Sequence, residues 1–289
     1  MRRSTFCAAA IAMLCTQTAY AKNTAILTQT GDAQVLNVTQ TAGKNGSAVI
    51  EQAGNHNAIF ATQDDEELGN GRISPANALT IKQAGDHNGV NAVFLDGIPL
   101  GQKSTLPGFA TNTMTIQQAG KSNQIAYGQT GIGNTANIKQ GLLPGRAVSS
   151  GNIASLAQSQ SHNDATITQD GFNNHTVNRQ IGGGNVLKMN QTGTSNLSDV
   201  QQLHDDTATV DQAGFGNTLK ISQFDSSEDA TVSQTGHDND LNLIQDQPLD
   251  TASLTQGGSF NVLAVKQMSV GANATVTQAG TASTITLSQ

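Results

Sequence analysis

The sequence is poor in the residues that fill a globular core. It has no tryptophan, two tyrosines and eight phenylalanines, so aromatics are 3% of its 289 residues. Apolar residues reach only 36%, without long hydrophobic runs. An enzyme of this length normally fills a thick interior with Leu, Ile and Phe, and that material is missing. Charge is scarce too, at 12% of residues, about half the usual quarter. With 14 Lys and Arg against 21 Asp and Glu, clustered cations for phosphate are lacking, and nucleic acid is not an expected partner. Low charge combined with plentiful β-branched residues also excludes charge-driven disorder. What replaces the missing residues is Gln, Asn, Thr, Ser, Gly and Ala, the material of a thin, repetitive β structure.

Residues 1–21 read as a secretory signal peptide. Arg2 and Arg3 form a basic start, Phe6 to Leu14 a short apolar stretch, and Ala19-Tyr20-Ala21 a small-x-small cleavage pattern. The stretch is too short to span a bilayer and no later run approaches that length, so no transmembrane segment is expected. Both cysteines, Cys7 and Cys15, lie inside this segment. A mature chain from residue 22 would therefore have no disulfide to staple it.

The remaining residues, 22–289, read as a single repeat domain. Glutamines recur at 29, 40, 52 and 63, at 83, at 118, 129 and 140, and from 158 to 289, with almost every step 11 residues. Phe94, 11 after Gln83, takes the one slot without a glutamine. Each unit reads Gln-x-Gly-x-x-Asn, as in Gln212 to Asn217. Positions two and four before each glutamine are apolar almost throughout, with Thr, Ser, Asn or Lys between them. That period-2 alternation predicts half-buried strands, and Gly supplies the positive φ of tight turns.

A larger period of 22 sits on top. From Ala208 onward, the position four before each glutamine alternates Ala with Leu or Ile. Turn glycines Gly193, Gly214, Gly236, Gly258 and Gly280 alternate with turns, after Gln202, Gln223, Gln245 and Gln267, that lack one. The expected fold is all-β: a two-sided parallel β-solenoid of about eleven 22-residue rungs, strand-turn-strand and cross-β-like, roughly 50 Å long. Inward amides would bond along the stack as ladders. The expected members are Gln191, Asn196, Gln212, Asn217, Gln223, Gln234, Asn239, Gln245, Gln256, Asn261, Gln267 and Gln278. Loop insertions near 64–77, 95–112 and 141–152 are expected at turns.

No nucleophile elbow, phosphate loop or acid–base pair stands out, so no enzyme and no cofactor are expected. His56 and His87 share a turn slot in successive rungs, yet zinc needs three or four convergent ligands. Acids gather on the glycine-free turns: Asp205 and Asp206, then Asp225, Glu228 and Asp229, then Asp246 and Asp250. Stacked about 4.8 Å apart on one edge, they would repel and act as a gatekeeper. Alternatively Asp225, Glu228 and Asp229 are weak candidates for a calcium edge.

These features resemble the curlin repeat of bacterial curli, the secreted functional amyloid of biofilms, whose pattern is Ser-x5-Gln-x4-Asn-x5-Gln. Gln212, Asn217 and Gln223 match it, as do Gln234, Asn239, Gln245 and Gln256, Asn261, Gln267. The initial Ser of that pattern is mostly absent. The resemblance implies a secreted, extracellular cell-surface fibre subunit of the biofilm matrix, acting in cell adhesion. Its partners would be itself, other curlin-like subunits and outer-membrane export machinery. A monomeric β-solenoid adhesin, or a surface- or carbohydrate-binding module using outward Thr rows, is the alternative.

Overall fold

The computed structural model describes residues 13–14, 24–41, 46–65, 77–92, 101–104, 111–141 and 149–289. Every element among them is a β-strand. The strands form two sheets, one of 13 strands and one of 11, and successive strands alternate between the sheets except for Gly89–Ala92 and Gly101–Ser104, which share one. Neighbours within a sheet lie one coil apart and are parallel. Thr207–Phe215 pairs with Asp229–His237 so that Ala208 meets Ala230, Val210 meets Val232 and Gln212 meets Gln234. In the other sheet Leu219 meets Leu241 and Ile221 meets Leu243. The chain is a two-sided parallel β-solenoid with a 22-residue coil.

The alternation in the sequence explains this register. A one-residue slip would turn every apolar side chain outward. As built, Ala208, Val210, Leu219, Ile221, Ala230, Val232, Leu241 and Leu243 all lie in the continuous core cluster, and the Thr, Ser and Asp residues between them face out. In these coils one sheet offers Ala and Val where the other offers Leu and Ile, which keeps the core narrow there.

One strand breaks the rule. In His175–Gln180 the two core positions are Thr176 and Asn178, both buried. They bond each other: Asn178 Nδ2 donates to Thr176 Oγ1 at 2.9 Å, and to the Ser155 carbonyl at 3.3 Å. Ser198, stacked on Thr176, is buried with its hydroxyl unpartnered. A polar plug therefore interrupts the apolar core on the face of one sheet.

The expected insertion at 95–112 needs correction, as does the placing of Phe94 in the glutamine slot. Gly89–Ala92 pairs with Ala58–Asp65 and with Gln124–Ile132. The row then resumes at Gly101–Ser104, where Gln102 aligns with Gln63 and Gln129. The insertion thus falls within a strand position rather than wholly at a turn, and Gln102 fills the slot. Phe94 lies outside the described residues. An amide finds two amide neighbours in that row and a phenyl ring would orphan both, so the row selects Gln102. Of the insertions near 64–77 and 141–152, residues 66–76 and 142–148 also lie outside the described residues. Within the signal segment, Met13–Leu14 pairs with Leu36 and Asn37.

Candidate functional site

The chemistry of this molecule lies in columns that run along the solenoid. In the first glutamine ladder each Nε2 donates to the Oε1 one coil on. Gln191 reaches Gln212 at 2.8 Å, Gln212 reaches Gln234 at 2.8 Å, Gln234 reaches Gln256 at 2.9 Å, and Gln256 reaches Gln278 at 3.0 Å. The same ladder extends back to Gln29, which donates to Gln52 at 2.7 Å. In the other sheet Gln202 donates to Gln223 and Gln223 to Gln245, both at 3.1 Å. That ladder stops there, because Gln267 Oε1 is buried with no partner. Each amide also bonds a backbone carbonyl across the coil, as Gln234 Nε2 does with Thr218 at 2.9 Å. Buried amides are costly when unpaired, so every coil depends on its neighbours.

A second column stands on the edge where the chain leaves the 11-stranded sheet. Asn196, Asn217, Asn239 and Asn261 are buried there. Each Oδ1 accepts the next backbone N–H: Asn196 from Asn217, Asn217 from Asn239 and Asn239 from Asn261, all at 3.1 Å. Each Nδ2 donates to carbonyls, as Asn217 does to Ala213 and Gly236, both at 3.0 Å. The turn glycines stack beside them with positive φ, from 100° at Gly258 to 118° at Gly214. A Cβ on Gly236 would lie 1.9 Å from the Gly258 carbonyl oxygen. Glycine is therefore demanded twice, by the left-handed backbone and by the next coil. At Gly280 the equivalent position meets nothing within 4 Å.

The opposite edge changes character along its length. Asn112, Asn134, Asn163 and Asn185 occupy the inward slot first, and then Asp206, Glu228 and Asp250 take it over. All three acids are buried, with exposures of 0%, 1% and 0%. They are not part of one solvated acidic edge, as the sequence suggested. Asp205, Asp225 and Asp229 face solvent, whereas Asp206, Glu228 and Asp250 replace ladder asparagines. Nor do Asp225, Glu228 and Asp229 assemble a cation site. Among the described residues no three His, Cys, Asp or Glu side chains come close enough to hold a metal. The calcium edge is thereby corrected: side chains two places apart along a strand end point together, but 228 lies between the two outward acids and points in.

Asp206 and Asp250 keep the acceptor half of the asparagine role. Asp206 Oδ1 accepts the Glu228 N–H at 3.2 Å, and Asp250 Oδ1 accepts the Ala272 N–H at 2.8 Å. Asp206 Oδ2 also accepts from Leu203 at 3.0 Å and His204 at 3.2 Å. The donor half is absent in a carboxylate. Glu228 Oε2 accepts the Asp225 N–H at 3.4 Å, while its Oε1 is buried without a partner; Asp250 Oδ2 makes no well-formed hydrogen bond, although the Gln247 N–H of the same turn lies near enough to favour the ionised form. Burial pushes the Asp206 carboxyl up to about 6, against the pull of its N–H donors. Burial, and then the charge of Asp206, push Glu228 up to about 8. Burial raises Asp250 as well.

The spacing explains why the sequence concealed this column. Glu228 and Asp250 stand five residues after Gln223 and Gln245, as Asn217 stands after Gln212, so counting from the glutamine would have placed them inward. Asp206 stands only four after Gln202, and the pairing register shifts between Gln202 and His204.

His56 and His87 do meet, with parallel rings and centroids 4.8 Å apart, but as a stacked pair on an exposed turn. Elsewhere on the surface, Lys82 and Glu51 pair at 3.1 Å, about half exposed on both sides, which contributes little to stability. No helix among the described residues is long and apolar enough to cross a membrane.

No curated protein matches the chain. The family model of the curlin associated repeat matches residues 204–246, the segment that holds the first two buried acids and the ladder step from Gln212 to Gln234.

Proposed function

We propose that this chain is a secreted structural subunit of a curli-like amyloid fibre, acting in biofilm matrix and adhesion, and that it grows by stacking the end coil of one copy on another. The partner is a second copy or another curlin-like subunit, reached through the outer-membrane export machinery after removal of residues 1–21.

The observation that carries this reading is the polarity of the end coils. All ladder amides point their donors the same way, towards higher residue numbers. At the low end Gln40 Oε1 is buried and unpartnered, an acceptor waiting for a donor. At the high end Gln278 and Gln289 hold Nε2 groups that bond only carbonyls of the coil they close. Among the described residues nothing pairs with the outer sides of Thr24–Thr30, Asn273–Gln278 or Thr284–Ser288. Apolar core side chains are left incompletely covered there: Leu27, Val276, Ile285 and Leu287 are only partly buried. The open space at Gly280 is the place where the column formed by Gly214, Gly236 and Gly258 would continue. Unpaired strand edges with matching side chains template addition.

Electron microscopy of the purified chain after incubation tests the reading, with an amyloid dye following seeded growth. Fibres with a repeat of about 4.7–4.8 Å along the axis are expected. Gly280→Ala should cost the isolated fold only the left-handed backbone strain of about 1–2 kcal/mol and stop growth at that end, because the added Cβ meets nothing but an incoming coil. A chain that stays monomeric, with no seeding, would remove the proposal.

A further inference from the structure

We propose that Asp206, Glu228 and Asp250 form a proton-operated lock on the C-terminal coils: protonated, the column completes the asparagine ladder, and ionised, it opens that edge. The chemistry follows from the slot. An asparagine there supplies one acceptor oxygen and N–H donors, and Asn163 uses both, accepting the Asn185 N–H at 3.2 Å and donating to the Gly182 carbonyl at 2.9 Å. A protonated carboxyl has the same complement less one hydrogen, a carbonyl acceptor and an O–H donor. A carboxylate has only acceptors. In the slot of Glu228 it leaves Oε1 buried without a partner, in that of Asp250 it leaves Oδ2 without a well-formed bond, and it stacks three like charges at the coil spacing, about 4.8 Å.

The surroundings supply little compensation. His204 is the one cation-forming group acting on Asp206. Glu228 faces Asp206, Asp250 and Asp225, and Asp250 faces Asp225 and Asp246. Asp205 and Asp229 stand on the same turns, facing solvent. The neighbours above and below in the column, Asn185 and Ala272, are uncharged.

The sign is set by linkage. The folded carboxyls hold protons more tightly than the unfolded ones, with Glu228 at about 8 and Asp206 at about 6. The stabilisation is therefore full below the ordinary carboxyl range, about 4. It is lost as pH rises through about 6 to about 8. Acidification should lock the edge, opposite to the usual behaviour of paired carboxylates.

The test is hydrogen exchange of the full chain between pH 5 and pH 8, read as protection factors for residues 203–251, beside a variant carrying Asp206→Asn, Glu228→Gln and Asp250→Asn. The wild-type edge should lose protection by tenfold or more across that range, while the triple variant stays flat and protected. Glu228→Gln alone should remove the largest part of the slope. A control carrying Asp205→Asn, Asp225→Asn and Asp229→Asn should keep the wild-type profile. The same slope in wild type and triple variant would overturn the lock, and so would a slope abolished by the control. Assembly gives a second readout that rests on the fibre reading: the lag at pH 7.5 should shorten in the triple variant to the wild-type value at pH 5. A chain that forms no fibres yet shows the protection slope would sink the fibre reading and keep the lock.

Discussion

The two edges of this solenoid perform the same structural task with different side chains. On one, asparagine after asparagine accepts a backbone N–H with its oxygen and donates with its nitrogen, beside an unbroken glutamine ladder from Gln29 to Gln278. On the other, the asparagines give way to Asp206, Glu228 and Asp250, and the adjoining ladder stops at Gln245. A β-solenoid multiplies whatever sits in a slot. A satisfied amide becomes a ladder, and an ionised acid becomes a column of unpaired acceptors. The regular edge has no titrating side chain in its asparagine column, whereas the acidic edge has Asp206, Glu228 and Asp250 in the equivalent slots.

Substitutions can break or sharpen that contrast. The largest effect is expected at Gly236→Ala on the regular edge. Left-handed strain of about 1–2 kcal/mol adds to a carbonyl oxygen 1.9 Å from the new carbon. Urea unfolding should show a loss of about 3 kcal/mol or more, and a loss below 1 kcal/mol would mean that the coils separate easily. Next comes the ladder. Gln234→Leu with Gln256→Leu strands the amides of Gln212 and Gln278, at about 1–3 kcal/mol each. The outward pair Thr231→Ala with Ser253→Ala should stay within about 0.5 kcal/mol, and equal effects would refute the inward placement. Asn217→Asp copies the acidic slot onto the regular edge. It should cost about 1–3 kcal/mol at pH 7.5 and clearly less at pH 5, where the carboxyl is protonated; a cost that does not depend on pH would separate the acidic slot from its proton. The smallest effect concerns the polar plug. Thr176→Ala with Asn178→Val removes both partners of a buried pair, so unfolding should show a change within about 1 kcal/mol. A large loss would make the plug a structural requirement.

Much of the architecture could be read from residue types and spacing. Glutamines every 11 residues, with apolar positions two and four before them, specify strands, their inward face and the 22-residue coil. Parallel stacking follows, since a coil of two such strands cannot bury its apolar face alone. The details that departed from this reading did so for physical reasons. Gln102 was hidden by an insertion that interrupts a strand, where counting from Gln83 leads to Phe94 instead. The polar plug at Thr176 and Asn178 violates the apolar pattern and is tolerated because the two side chains satisfy each other.

The acids show the division most clearly. Composition and spacing alone determined that these turns carry negative charge and fall on one edge. Whether a given carboxyl faces water or the interior was decided only by the folded coil. Asp205 and Asp206 are adjacent in sequence, yet one is exposed and the other fully buried. A turn one residue shorter after Gln202 moves its inward slot from the fifth position to the fourth. Side-chain direction in extended chain reverses with every residue, so a single-residue difference in turn length separates a solvated charge from a buried proton-binding group. Local sequence sets the period, and the stacked neighbours determine which atoms are left without partners.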